Sequence, residues 1–220
     1  MAGTAGAPDA FWVGGSPCAG KSTIADLLGA RHGIPVVHCD DGALPRWRRV
    51  RAQASPVLTE LTELSDCERW TRPPAWQAEK ELLYYREQFP LLLAELAAVE
   101  APFIVEGADL LPELVVEQGV PLSRGVWVVA SPQFQLEQYA RRDWARTLVA
   151  PCADPVAAFH GWMERDILFA SAVAESALRL GGTVVVVDGS RSVAAVAAEV
   201  ATHLGLATAA GQPARTTNGL

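Results

Sequence analysis

The chain has 220 residues, half of them hydrophobic, and a formal net charge of −7 at neutral pH. That length suits one α/β domain with a small lid or helical insert. The negative balance argues against non-specific binding to nucleic acid, which needs a positive face, and leaves open only a local basic groove.

No run of about 18 apolar residues is present to span a bilayer. The N-terminus lacks the basic start and apolar core of a secretion signal. The four cysteines, Cys18, Cys39, Cys67 and Cys152, form no C-x-x-C pair. They are expected to be reduced thiols of a cytosolic protein, not a disulfide framework or a zinc site. Residues 1–9 and 206–220 are small and polar and are expected to be flexible tails.

The first element is the apolar run Ala10-Phe11-Trp12-Val13, which reads as a buried strand. Gly15-Ser16-Pro17-Cys18-Ala19-Gly20-Lys21-Ser22 follows it and fits G-x-x-x-x-G-K-[ST], the phosphate-binding loop pattern. Of the 18 basic residues only Lys21 and Lys80 are lysine. A compact ammonium fits a small ring of backbone amides, and a planar guanidinium does not. Ile24, Leu27, Leu28 and Arg31 then fall at helical spacing, giving the strand, loop and helix that the motif requires. The loop amides of residues 15–23, ending at Thr23, are expected to hold the phosphates of ATP. Lys21 would neutralise their charge, and the Ser22 hydroxyl would bind Mg²⁺. An ordinary glycine-rich turn is the bland alternative.

Further strands are expected at Phe11–Gly14, Pro35–Cys39, Pro102–Glu106, Gly125–Ala130 and Thr183–Val187, each nearly continuously apolar. Helices between them are signalled by Ser131-Pro132 and Asp154-Pro155, a capping residue before proline at the first position. Val57, Leu58, Leu61 and Leu64 form one apolar stripe, and Val193, Val196, Ala197, Val200 and Leu204 another. Alternating strands and helices imply a parallel sheet whose strand carboxyl ends carry the chemistry.

The second strand ends His38-Cys39-Asp40-Asp41. An acid there takes the proton of a substrate hydroxyl, holds Mg²⁺ through water, or caps a helix. Asp40 is taken as the functional acid and Asp41 as its neighbour in acceptor binding. His38 is read as a buried strand residue. Arg46, Arg48, Arg49 and Arg51 either bind an anionic substrate or form a solvated face. Trp70, Trp76, Tyr84 and Tyr85 line an acceptor pocket or belong to the core.

The third strand ends Val105-Glu106-Gly107-Ala108-Asp109. Glu106 is expected either to orient Mg²⁺-bound water or to bind a substrate hydroxyl, while Asp109 does so in its place or caps the next helix. After the fourth strand, Arg142 and Arg146 share a helix face by i, i+4 spacing, with Arg141 about 100° away. Arg142 and Arg146 would clamp the transferring phosphoryl group and Arg141 would touch ATP, or the three form a solvated face. Arg165, flanked by acids, is a weaker candidate. Beyond the fifth strand, Asp188-Gly189-Ser190-Arg191 is expected beside the base, with Arg191 over its ring. Asp188 and Gly189 equally serve as turn residues.

Together, residues 15–23, Asp40, Val105-Glu106-Gly107, the arginine segment 138–146 and Val187-Asp188-Gly189-Ser190 resemble the P-loop kinase group. That group contains nucleoside and nucleotide kinases, shikimate and gluconate kinases, and chloramphenicol phosphotransferase. Gly14-Gly15-Ser16, Ala19-Gly20-Lys21-Ser22 and the Asp ending the second strand are most similar to chloramphenicol phosphotransferase, which places its catalytic base there. The resemblance covers residues 10–205. It implies a three-layer α/β/α fold with five parallel strands in order 2-3-1-4-5, acceptor-binding helices at about 41–99 and a helical lid at about 138–155. It also implies ATP and Mg²⁺ as cofactors and transfer of the γ-phosphate to a hydroxyl of a small molecule, an antibiotic or a biosynthetic metabolite. A nucleoside or nucleotide kinase is the nearest rival. An ATP-binding switch or assembly protein with slow hydrolysis is the rival from another class. The acidic charge speaks against a polynucleotide end kinase.

Overall fold

The apolar runs become one parallel sheet. In the computed structural model, β1 (Ala10–Gly15), β2 (Val36–His38), β3 (Phe103–Glu106), β4 (Gly125–Ala130) and β5 (Thr183–Val187) lie in the order β2-β3-β1-β4-β5. Every neighbouring pair is parallel. This is the order that the resemblance implies. The structure describes residues 9–42, 46 and 55–206. Residues 1–8 and 207–220 of the expected tails lie outside the described residues, as do Arg48, Arg49 and Arg51.

The helices are α1 (Lys21–His32), α2 (Pro56–Glu63), α3 (Asp66–Trp70), α4 (Pro74–Leu96), α5 (Pro112–Glu117), α6 (Pro132–Ala140), α7 (Asp143–Val149), α8 (Pro155–Arg179) and α9 (Val193–His203). Alternate residues of each strand face opposite layers. Phe11 and Val13 pack with Ile24 and Leu28 of α1 and with Val196 and Val200 of α9. Ala10 and Trp12 pack on the other side with Phe89 and Leu92 of α4 and Phe169 and Val173 of α8. Cover on both faces is why the strands read as unbroken apolar runs. Each buried Val, Leu, Ile or Phe among these contributes about 1.5–3 kcal/mol relative to exposure.

The cap signals place helix starts correctly. Ser131 Oγ accepts from the Phe134 N–H at 3.3 Å, and Asp154 Oδ1 from the Ala157 N–H at 2.9 Å. The apolar stripes are narrower than the spacing suggests. Leu27 is 42 % exposed and Val193 46 % exposed, and in α2 only Leu58 is fully buried.

A third cluster lies off the sheet, where Tyr139, Ala145, Val149, Trp162 and Met163 pack beside Trp70. Trp70 of α3 stacks on Trp162 of α8, with ring centroids 4.8 Å apart. The cysteine expectation is corrected here. Cys67 of α3 and Cys152, between α7 and α8, form a disulfide across 85 residues of sequence. Cys18 and Cys39 are free thiols. Two helical segments remote in sequence meet on the same tryptophan face, and no residue spacing reveals that. A closed pair is commoner in oxidising compartments than in the cytosol, so the cysteines no longer support a cytosolic location. No helix among the described residues is long and apolar enough to cross a membrane.

Opening the disulfide with a thiol reductant, or by Cys152→Ser, is expected to cost about 2–4 kcal/mol of stability. Urea unfolding with and without reductant measures it. A wild-type midpoint indifferent to reductant would mean that the native protein does not keep the pair closed.

Candidate active site

β1 ends in a turn that only glycine allows. A Cβ on Gly14 would lie 2.6 Å from the Leu110 carbonyl oxygen, and one on Gly15 (φ +133°) 1.8 Å from that of Val128. Ser16 then anchors the loop to β4. Its N–H donates to the Val128 carbonyl at 3.0 Å, and its hydroxyl accepts from the Ala130 N–H at 3.0 Å. Cys18 (φ 58°) and Gly20 (φ 81°) adopt left-handed backbone, which turns successive N–H groups towards one side. Helix α1 opens with no side-chain cap at Gly20 and no acid in its first turn. Its first N–H groups therefore have no side-chain cap, the arrangement that suits an anion. A Cβ on Gly20 would meet nothing within 4 Å, so the loop borders open space.

Lys21 is 8 % exposed, and its Nζ donates to the Ser16 carbonyl at 2.8 Å. Burial lowers its pKa, while the charges of Glu106, Asp40 and Asp109 act against that shift. The strand-end acids singled out in the sequence are thus gathered electrostatically around one ammonium. Ser22 and Thr23 follow it, exposed on the first turn of α1.

The strand-end acids differ in their partners. Asp40 and Asp41 are exposed in the 3-10 turn Cys39–Gly42. Glu106 is 3 % exposed and stands in register opposite His38. His38 is not the buried strand residue expected. It is partly exposed, with Nδ1 2.8 Å from Glu106 Oε1 and Nε2 3.2 Å from Asp26 Oδ1 of α1. The Glu106 hydrogen bond raises its pKa against the effect of burial.

Asp109 is 4 % exposed and accepts from Gln88 at 3.2 Å and from Arg46 at 3.4 Å. It caps no helix, since Leu111 is the N-cap of α5. Arg46 is 2 % exposed, donating to Glu95 at 2.7 Å and to the Cys39 carbonyl as well as to Asp109. The expectation that it binds an anionic substrate is therefore corrected, because its guanidinium is enclosed and already paired.

Burial pushes the Asp109 carboxyl up to about 6, against the pull of Arg46. With the folded value above the unfolded one, the native state keeps a proton that the unfolded chain releases. This contribution to stability is full below about pH 4 and is lost as pH rises through about 6. Asp109→Asn should flatten that part of the stability-versus-pH curve. An unchanged curve would show that Asp109 ionises normally.

On the other side of the loop is a cleft of about 350 Å³, lined by Gly20 and Thr23 and by Phe134, Arg142, Val187, Gly189 and Arg191 among others. Arg191 borders it while bonding Glu199 and, at 3.0 Å, the Val186 carbonyl. Asp188 is a turn residue. Its Oδ1 accepts from the Ser190 hydroxyl at 2.6 Å and from the Ser190 N–H at 2.9 Å, which holds its carboxyl below the usual range.

The shared face for Arg142 and Arg146 is corrected. The helix breaks after Ala140, and Arg142 is the extended N-cap of α7 (φ −107°, ψ 102°), so i, i+4 spacing does not apply. The break lets α7 bury Ala145 and Val149. Arg142 faces the cleft, with its guanidinium 5.5 Å from the Tyr139 ring centre. Arg146 lines a different, mostly apolar cavity of about 440 Å³ with Val149, Pro155, Val156 and Phe159. Arg141 is the exposed C-cap of α6 and does not line the cleft. Arg165 is occupied by Glu81 at 3.1 Å and by Asp166 at 2.6 Å, as its acidic neighbourhood suggested.

No protein-family model matches the chain, and no curated protein does. Solved structures do. A putative kinase from Chloroflexus aurantiacus j-10-fl is 21% identical with a TM-score of 0.41, covering 90% of this chain and 99% of that one. The protein TT1252 from Thermus thermophilus is 22% identical with a TM-score of 0.44, covering 88% of this chain and 98% of that one. Likenesses this distant assign no chemistry, which rests on the residues themselves.

Two pairings were not read from the sequence. One is His38 with Glu106. The other is Tyr139, whose hydroxyl donates to Asp166 at 2.8 Å. The first left a signal, because both residues end adjacent parallel strands. The second needs the packing of α6 on α8 and left none.

Proposed function

We propose that the chain is an ATP-dependent phosphotransferase acting on a hydroxyl of a small molecule. The observation that carries the reading is the buried Lys21 at the head of the uncapped α1, with Asp40, Glu106 and Asp109 around it. The loop fits a nucleotide: its amides are turned towards one side, open space stands over Gly20, and a cleft runs on towards Val187 and Arg191. Bound ATP with Mg²⁺ would supply the transferable phosphoryl group and offset its charge.

The chain's own residues divide the remaining work. Lys21 exchanges the Ser16 carbonyl for phosphate oxygens, and the loop amides of residues 15–23 fix their position. Ser22 would hold the metal, with Glu106 holding its water or an acceptor hydroxyl. Asp40, exposed at the end of β2, takes the proton of the acceptor hydroxyl. Arg142 reaches phosphate from the lid side of the cleft, and Arg191 covers the base. Arg146 has no place in this arrangement. The likeness of the loop and of Asp40 to chloramphenicol phosphotransferase supports an antibiotic or a hydroxylated metabolite as acceptor.

The test is Mg²⁺-dependent ATP consumption against antibiotics, nucleosides, nucleotides, sugars and hydroxy acids, with Lys21→Met alongside. Acceptor-dependent turnover that vanishes in the variant supports the reading and names the acceptor class. ATP binding with no turnover on any acceptor, but with nucleotide-dependent capture of a protein, would favour the switch.

A further inference from the structure

Helix α1 and strands β2 and β3 are joined at the site by one imidazole. The ring of His38 spans two carboxylates, Glu106 of β3 at 2.8 Å and Asp26 of α1 at 3.2 Å. The register pairs His38 with Glu106 at the very end of both strands. Glu106 is 3 % exposed, so solvent contributes little to its orientation. Among the charges acting on Lys21, that of Glu106 is the largest. A buried carboxylate deprived of its partner seeks another, because an unpaired buried charge is costly. The Lys21 ammonium, on which the Glu106 charge acts, is such a candidate, and it is held by the Ser16 carbonyl at 2.8 Å.

We infer that His38 is a positioning residue of the phosphate site: braced by Asp26 of the loop helix, it fixes Glu106 and keeps that carboxylate from closing on Lys21. The inference rests on the reading of Lys21 as the phosphate ligand. His38 touches neither phosphate nor acceptor in this role. It decides whether the ammonium meets an incoming anion free or already paired. Asp26 contributes by holding the far nitrogen, which stops the ring from turning away from Glu106.

The test is a double-mutant cycle read by calorimetric binding of ATP to the full chain in EDTA, so that neither metal nor turnover enters the readout. His38→Ala is expected to weaken ATP about tenfold, as Glu106 pairs with Lys21. Adding Glu106→Gln should restore affinity to within about threefold of wild type, since a neutral amide does not compete for the ammonium. His38→Gln, whose amide still donates to Glu106, should lose less than His38→Ala. Thermal midpoints of all the variants are measured in parallel.

Two results overturn the inference while leaving the proposed function standing. One is wild-type affinity in His38→Ala. The other is a loss that Glu106→Gln does not repair, which marks a merely structural role. A wild-type chain that binds ATP neither in EDTA nor with Mg²⁺ overturns the proposed function, and this inference with it.

Discussion

Lys21→Met is expected to lower acceptor-dependent ATP turnover at least about 100-fold, the scale on which removal of one charge-stabilising donor acts, without weakening the fold. Methionine nearly matches the length of the lysine stem, so no large cavity opens. The ammonium is desolvated, and burial lowers its pKa. A lysine whose folded value lies below its unfolded one costs stability at neutral pH, and the cost fades as pH rises through the folded value and on to the unfolded one. Removing the charge relieves that cost and forfeits the 2.8 Å bond to the Ser16 carbonyl.

The acids around Lys21 do not depend on it alone. Glu106 has His38, Asp109 has Arg46 and Gln88, and Asp40 is solvated. The thermal midpoint should therefore hold or rise while activity disappears, the usual conflict between stability and function at a charged site. Differential scanning fluorimetry beside the turnover assay measures both. A midpoint lowered by about 5 °C or more would make Lys21 a structural residue, and its loss of activity would say nothing about phosphate.

What the sequence made legible followed from local pattern. Strand ends at Glu106 and Ala130 were readable because apolar runs stop abruptly where the sheet meets the site, and the loop was readable because glycine, lysine and serine have fixed offsets there. The sheet order came from the resemblance that the loop carries. What failed was whatever depends on side chains meeting across elements. Arg46 reads as a free cation until Glu95 and Asp109 are seen to enclose it. Arg142 and Arg146 share a face only on an unbroken helix, and the break after Ala140 follows from burying Ala145 and Val149, a tertiary demand. Cys67 and Cys152 meet because α3 and α8 stack Trp70 on Trp162, which neither cysteine's neighbours signal. His38 lies between these cases. Strand order and matched strand ends place it beside Glu106, so the pairing was within reach of the sequence.

Asp40→Asn should lower the rate of phosphoryl transfer about 10²–10⁴-fold, the range attributed to a positioned general base, with Asp41→Asn close to wild type. Asn keeps the shape and the hydrogen-bonding reach of Asp but does not accept a proton at neutral pH. Asp40 is the residue whose charge acts on both Lys21 and Asp109. Asp41 acts instead on His38 and lines a separate pocket of about 270 Å³ with Val36 and Glu95.

Two roles for Asp40 separate in the kinetics. If it only shapes the field at Lys21, removing its negative charge tightens ATP binding and leaves kcat nearly intact. If it takes the acceptor's proton, kcat falls and the affinity for ATP barely moves. Steady-state kinetics with both substrates varied, together with ATP binding to the same variant, distinguishes them. Unchanged kcat in Asp40→Asn would rule out the general base, and a matching loss in Asp41→Asn would move that role one residue along the turn.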